Sequence, residues 1–327
     1  MELTARAFWI GAPGEGEIRE AILPRPGEGD VVVRALYSGV SRGTETLVFR
    51  GGVPESQHAA MRAPFQEGEF PAPVKYGYLS VGVVEHGPGH LLGRTVFCLY
   101  PHQTRYVVPA AAVTVVPDTV PAARAVLAGT VETAVNALWD ATPLLGDRIA
   151  VVGGGMVGCS VAALLARFPG VRVQLVDADS ARAETARALG VDFAAPEAAL
   201  DGCDLVVHAS ASEAGMRRSL ELLAPEGTLV ELSWYGDRVV SLPLGEAFHA
   251  RRLTVRSSQV GTVSPRARSG RSYADRLALA LDLLADPALD ALVTAEHTFE
   301  DLPDLLPRLT DGTVTGLCHR VRYGDAR

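Results

Sequence analysis

Short apolar or alternating runs open the chain at 2–10, 17–24, 30–40, 79–86, 94–100, 105–109 and 113–116, with Gly, Pro and Asp clusters between them. That spacing predicts a β-rich first part. Residues 51–73 follow no period and are expected to be loop with one helical turn at most. At 121 the pattern changes, and PAARAVLAGTVETAVNALWDA (121–141) predicts a helix with Pro121 near its first position. From 148 strands and helices alternate. RIAVVG, VRVQLVD, DLVVHAS, GTLVELSW and LTVRSS predict strands, and 155–168, 180–189, 213–224 and 245–251 predict helices. Alternation of this kind calls for a parallel sheet covered on both faces. A Pro/Arg/Ser/Gly-rich loop after 261 leads to a helix (273–285), a strand (LVTAEHTF), a short helix and a last strand, GLCHRVRY.

The segment IAVVGGGMVGCSVAALLA (149–166) carries no charge and would pass for a membrane helix on hydropathy alone. Three consecutive glycines interrupt it, β-branched residues come first and helix formers last, so it reads as buried strand, turn and buried helix. The turn contains Gly153-Gly154-Gly155-Met156-Val157-Gly158, which fits G-x-G-x-x-G in the strand-to-helix context that a dinucleotide site requires. Gly153 serves the tight turn, Gly155 the approach of a pyrophosphate, and Gly158 the packing of helix on strand. The helix N-terminus offers free N–H groups to phosphate. The second strand ends at Asp177, 19 residues past Gly158. A carboxylate there accepts hydrogen bonds from the adenosine ribose and repels a 2′-phosphate, so NAD is the expected cofactor. Met156 and Val157 in the turn, and Ser210 and Ser233 at the ends of later strands, are further candidate cofactor contacts.

Composition narrows the class. The chain has 327 residues, enough for about two domains. It is 48% hydrophobic and 21% charged, with a net charge of −8, which argues against general affinity for nucleic acid or anionic membrane. Arg251, Arg252, Arg256, Arg266, Arg268 and Arg271 form one basic exception, read as a solvated loop. The four cysteines (Cys98, Cys159, Cys203, Cys318) stand alone, without metal-ligand or disulfide spacing. The N-terminus lacks the basic-then-apolar pattern of a signal peptide, and a cytoplasmic location is expected. A small-molecule substrate and a homodimer are the expected partners.

The stretches SGVSRGTE (38–45), VKYGYLSVGVVEHG, VVGGGMVG with VDADSAR, DLVVHAS and DGTVTGLCHRVRY together resemble the medium-chain dehydrogenase/reductase superfamily, the zinc alcohol dehydrogenase-like proteins, over nearly the whole chain. Within it the S-G-x-S-x-G-T-E loop and the Trp234-Tyr235 pair are similar to the bacteriochlorophyllide a dehydrogenase-like group. The resemblance implies an α/β protein. A β-rich GroES-like catalytic domain would occupy 1–119, completed by 262–327, and a Rossmann doubly wound parallel sheet would occupy 120–261. It implies that Arg182 touches the adenosine ribose and that Arg42 reaches the pyrophosphate.

The resemblance also shows what is missing. Where the superfamily has its first zinc-ligating Cys this chain has Ser41 or Arg42. The His ligand falls at Tyr78, and the third ligand near Gly129 or Thr130. Catalytic zinc needs about three ligands from His, Cys or carboxylate, so a zinc-free member is expected, with no metal site. SGVSRGTE, expected as a loop between strand VVVRALY (31–37) and the apolar run LVF (47–49), would then carry the chemistry. Thr44 fits the superfamily's proton-relay position. Tyr78 or Tyr76 would polarise a carbonyl oxygen in place of the metal, with Ser41 assisting and Lys75 lowering a neighbouring phenol's pKa. Packing is the competing role for Tyr76 and Tyr78, and pairing with Arg42 the competing role for Glu45. His102 and His297 are expected to be structural. The expected activity is NAD(H)-dependent interconversion of an alcohol and a carbonyl. The alternatives are an enoyl or quinone reductase and a non-catalytic dinucleotide-binding protein.

Overall fold

A computed structural model describes residues 3–324; residue 2 of the first expected strand lies outside them. Along the chain the strands and helices are β1 (Thr4–Ala12), β2 (Glu15–Ile22), β3 (Asp30–Val40), α1 (Arg42–Phe49), β4 (Glu67–Gly68), β5 (Val74–Lys75), β6 (Ser80–His86), β7 (Thr95–Cys98), β8 (Arg105–Pro109) and β9 (Val113–Val115). Next come α2 (Ala122–Ala125), α3 (Ala128–Ala141), β10 (Arg148–Val152), α4 (Met156–Leu165), β11 (Arg172–Val176), α5 (Arg182–Ala188) and β12 (Asp192–Ala194). The remainder is β13 (Cys203–His208), α6 (Glu213–Leu222), β14 (Leu223–Glu231), β15 (Thr254–Ser257), α7 (Tyr273–Leu283), β16 (Val293–Thr298), α8 (Leu302–Thr310) and β17 (Cys318–Arg322).

These elements form two compact units. The first comprises Met1–Gly129, Leu281–Ala285 and Val293–Arg327; the second comprises Thr130–Ala280 and Asp286–Leu292. In the first, a four-stranded sheet runs in the order β2-β1-β5-β4. A seven-stranded sheet runs β16-β17-β3-β6-β7-β9, with β8 on β3. Val31, Val33, Val84, Val96, Tyr106 and Val108 bury one face of β3, β6, β7 and β8 together. This is the β-rich, GroES-like half.

The second unit is a six-stranded sheet in the order β12-β11-β10-β13-β14-β15, every pairing parallel. Numbered within the unit, that order is 3-2-1-4-5-6, the doubly wound Rossmann topology. Its direction reverses between β10 and β13, so the crevice at their carboxyl ends is where a ligand belongs.

Five local differences separate the structure from the sequence reading. The run 47–49 is helix, not strand: α1 buries Glu45, Leu47, Val48 and Phe49 on one side, and a three-residue apolar run cannot distinguish the two periods. The expected helix 121–141 breaks into α2 and α3 at Val126 and Leu127, and Pro121 is the residue before the first turn. Leu244–Phe248 form a π-type turn within the helix expected at 245–251. Strand β12, three residues long, carried too little pattern to be expected. Residues 262–280, expected with the β-rich half, group with the second unit. There Arg276, 2% exposed, bonds Glu132 (3.0 Å), Asn136 Oδ1 (2.7 Å) and the Val260 carbonyl (2.6 Å), which ties α7 to α3.

Candidate functional site

In the β-rich unit β3 ends at Val40, and Ser41 stands at the N-cap position of α1. Its backbone N–H donates to Glu45 Oε1 (2.7 Å), so the glutamate folds back over the helix start and satisfies a free donor there. The Tyr78 hydroxyl donates to Ser41 Oγ (2.6 Å), and the Thr44 hydroxyl stands near enough to the phenol to lower its pKa. Ser41, Thr44 and Tyr78 therefore meet, three hydroxyls in one cluster. Burial pushes the Tyr78 phenol up to about 12; the Glu45 charge adds to this, and the Ser41 and Thr44 bonds oppose it.

Behind the cluster runs a row of buried polar groups. Glu45 Oε2 meets His102 Nε2 (2.9 Å), His102 Nδ1 meets Ser38 Oγ (2.7 Å), and Ser38 Oγ meets the Tyr323 hydroxyl (2.9 Å). Glu45 is 5% exposed and His102 1%. Gly77 lets the chain pass His102: at φ +127° its position would set a Cβ 3.1 Å from the imidazole. Glu45 thus partners His102 and the Ser41 amide rather than Arg42, whose guanidinium donates to the Gly316 carbonyl (3.3 Å). His102 is part of the row that fixes the site, while His297 stacks on His319, with Nε2 3.0 Å from its Nδ1.

Two further expectations need correction. Tyr76 is buried between Phe70 and Tyr78, ring centroids 5.7 and 6.0 Å away, and serves packing. Lys75 does not bear on Tyr78: its ammonium is held by Glu67 and by Gln103 Oε1 (2.6 Å). At the position of a third ligand, Gly129 is backed by Leu79, which a Cβ would meet at 2.5 Å. Among the described residues no three of His, Cys, Asp and Glu are grouped to hold a metal ion. Burial pushes the thiols of Cys98, Cys159 and Cys318 up to about 12, which leaves them protonated and inert.

The second unit carries the dinucleotide fingerprint. Gly153 turns the chain out of β10 at φ +110°, and a Cβ there would lie 2.6 Å from the Ser210 nitrogen, across the β10/β13 switch point. Gly158 in α4 packs so closely that a Cβ would stand 1.9 Å from the Gly153 carbonyl oxygen. At Gly155, which caps α4, a Cβ would meet nothing within 4 Å, so the backbone is open where phosphate would approach; Met156 and Val157 begin the helix. Asp177 sits at the carboxyl end of β11, and one oxygen accepts from the Gly154 amide (2.6 Å) and the other from the Asp179 amide (2.8 Å). Each oxygen keeps a lone pair for a ribose hydroxyl. The Arg182 stem covers Gly154, and its Nε lies 3.4 Å from Asp179. These residues fit a dinucleotide.

Ser210 and Ser233 belong to a cluster that the sequence reading did not find. The register of β13 on β14 sets His208 opposite Glu231. His208 Nδ1 lies 2.7 Å from Glu231 Oε2 and its Nε2 2.6 Å from Ser210 Oγ. Ser233 Oγ accepts from the Ala211 amide (3.0 Å), and the Tyr235 hydroxyl donates to Glu231 (3.1 Å). Burial works to raise the Glu231 carboxyl, but bonds and charge from His208 and the Ser233 bonds outweigh it and hold the carboxyl below its usual range. The one sequence signal was the shared place of His and Glu at the ends of adjacent parallel strands.

No protein-family profile and no curated protein matches the chain. Solved structures do. A protein assigned to the zinc-binding dehydrogenases from Sinorhizobium meliloti 1021, bound to NADP, is similar with a TM-score of 0.79 at 16% identity, covering 98% of this chain and 100% of that one. A protein described as a short chain alcohol dehydrogenase from E. coli CFT073, complexed with NADH, gives 0.77 at 16% identity, covering 98% and 99%. The 2R,3R-butanediol dehydrogenase of Bacillus subtilis gives 0.77 at 16%, covering 97% and 99%. At these identities the likeness is one of fold, and it spans both units: the chain has the fold of these dehydrogenase structures. No helix among the described residues is long and apolar enough to cross a membrane, and the apolar segment 149–166 is β10, the glycine turn and α4.

Proposed function

We propose that this protein is an NAD(H)-dependent oxidoreductase that interconverts an alcohol and a carbonyl without catalytic zinc. The observation that carries the reading is the bond between Tyr78 and Ser41. Two positions that would ligate a metal hold neutral hydroxyls bonded to each other, with Thr44 beside them. Glu45, the nearest carboxylate, is committed to His102 and to the start of α1. The set does not fit zinc.

A bound nicotinamide dinucleotide supplies the hydride. The chain's own residues do the rest. Gly153, Gly155 and Gly158 shape the phosphate turn, and Asp177 and Arg182 stand where the ribose would lie. Tyr78, with its phenol near 12, stays protonated at neutral pH, and its hydroxyl turns from Ser41 to donate a hydrogen bond to the substrate oxygen as charge develops there. Thr44 and Ser41, both only partly buried, relay the alcohol proton to solvent water on oxidation and return one on reduction. The row Glu45–His102–Ser38–Tyr323 holds this cluster in place. An enoyl or quinone reductase would favour a 2′-phosphate cofactor, which Asp177 opposes.

The test is turnover after exhaustive chelation. With NADH and a panel of aldehydes and ketones, activity should survive chelator, and the purified protein should hold less than about one tenth equivalent of zinc. Near one zinc per chain, with activity lost on its removal, would overturn the zinc-free reading. Stoichiometric NAD binding without turnover on any alcohol, aldehyde or quinone would favour a binding protein.

A further inference from the structure

A cavity of about 270 Å³ lies within the β-rich unit, walled by Ile22, Leu23, Phe65, Gln66, Lys75 and Tyr100 among others. It differs from the hydroxyl cluster in both lining and chemistry. Lys75 is 2% exposed, and its ammonium sits 5.2 Å over the Tyr100 ring, bonded to Gln103 Oε1 (2.6 Å) and to Glu67. Burial pulls this amine's pKa down, and Glu67 works against the fall. The Glu67 side chain, however, is 56% exposed and can return to water at little cost.

Gln66 supplies the independent observation. It is 7% exposed, and its Nε2 has no hydrogen-bond partner, although its Oε1 accepts from the Ala63 amide (3.2 Å). Leaving a buried amide donor unpaired is unfavourable, and Gln66 lines a cavity beside a buried cation. The site therefore lacks an acceptor, next to a positive charge whose present partner is replaceable. Apart from Glu67 and Gln103, the other walls are aliphatic or aromatic, with Phe65 tilted on Tyr100 at 5.4 Å.

We propose that this cavity binds a small monocarboxylate with an apolar body, one carboxylate oxygen taking the place of Glu67 on Lys75 Nζ and the other accepting from Gln66 Nε2. At about 30 Å³ per water-sized group the volume holds roughly nine non-hydrogen atoms, the size of a benzoate or a medium-chain acid. One cation and an apolar wall disfavour dicarboxylates and phosphates. The site has a direct link to the hydroxyl cluster's surroundings: Lys75 precedes Tyr76, and Gln103 follows His102. Its occupancy does not depend on the activity proposed above.

The experiment is calorimetric titration of the full chain with sodium benzoate and sodium hexanoate, with benzamide as the neutral control. One acid should bind with a Kd of about 1 mM or tighter, as a ligand of this size allows, and benzamide about tenfold more weakly. Lys75→Met should weaken binding at least about tenfold, and Gln66→Leu roughly threefold or more. Glu67→Gln, on an exposed side chain, should tighten it roughly threefold by removing the competing carboxylate, and this arm stands even if Lys75→Met fails to fold. The proposal is overturned if neither acid produces heat or a melting shift at about twenty times that Kd. It is equally overturned if benzamide matches benzoate, or if Glu67→Gln and Gln66→Leu leave the affinity unchanged.

Discussion

A phenol near 12 is a donor at neutral pH rather than a base, so the work at Tyr78 differs from the work at Thr44. Thr44→Val keeps the side-chain shape and removes the hydroxyl that moves the proton. Turnover should fall by about two orders of magnitude, the usual scale for one acid–base participant, with NAD affinity unchanged. An unaltered kcat in steady-state assays would make α1 scaffold. Glu231 allows a test by pH. Its folded pKa lies below the ordinary glutamate value of 4.5, so its bonds stabilise the fold fully above that value, and the contribution is lost as pH falls through the folded pKa. Chemical denaturation of the wild type and Glu231→Gln should show a stability gap that is widest at pH 6 and closes in acid. A gap independent of pH would mean that Glu231 acts by packing alone.

At the scale of elements, the turn from β10 into α4 is the most constrained part of the nucleotide unit. Gly158→Ala would drive a methyl into the Gly153 carbonyl, 1.9 Å away, and the backbone cannot yield as a flexible side chain would. Destabilisation of about 1–3 kcal/mol, as for overpacking, should accompany loss of dinucleotide binding, read by melting and cofactor titration. The end of β11 governs cofactor choice. With Asp177 present, NAD should bind tighter than NADP by roughly 2 kcal/mol, and Asp177→Ala should narrow that difference. Equal affinities in the wild type would mean that Arg182 and Arg187 outweigh the carboxylate.

Across each unit, buried charge does more than fill space. Arg276 reaches from α7 to Glu132 and Asn136 on α3, and removing it leaves the Glu132 carboxylate buried without its cation. Arg276→Leu should cost about 3–5 kcal/mol in denaturant unfolding. A loss within about half a kcal/mol would show that the ion pair only offsets its own desolvation. The basic stretch 251–271 divides at this scale too. Arg251 bonds the Leu223 carbonyl, Arg252 pairs with Glu226 and Arg256 with Asp140, whereas Arg266, Arg268 and Arg271 are exposed as a solvated loop would have them.

The chain's own order of residues determined the parallel sheet, because alternating apolar strands and helices leave few other ways to bury both faces, and it determined the phosphate turn, because those glycines are required by local backbone geometry. Chain order also brought Ser41 and Thr44 to one helix start, although α1 itself was hidden by an apolar run too short to reveal its period. Only the tertiary structure decided the partners. Glu45 with His102, His208 with Glu231, Lys75 with Glu67 and Gln103, and Arg276 with Glu132 are 57, 23, 8, 28 and 144 residues apart in sequence. Strand register and helix packing bring such groups together, and a burial that strips water from Glu45 and His102, from His208 and from Arg276 and Glu132 makes those pairings obligatory.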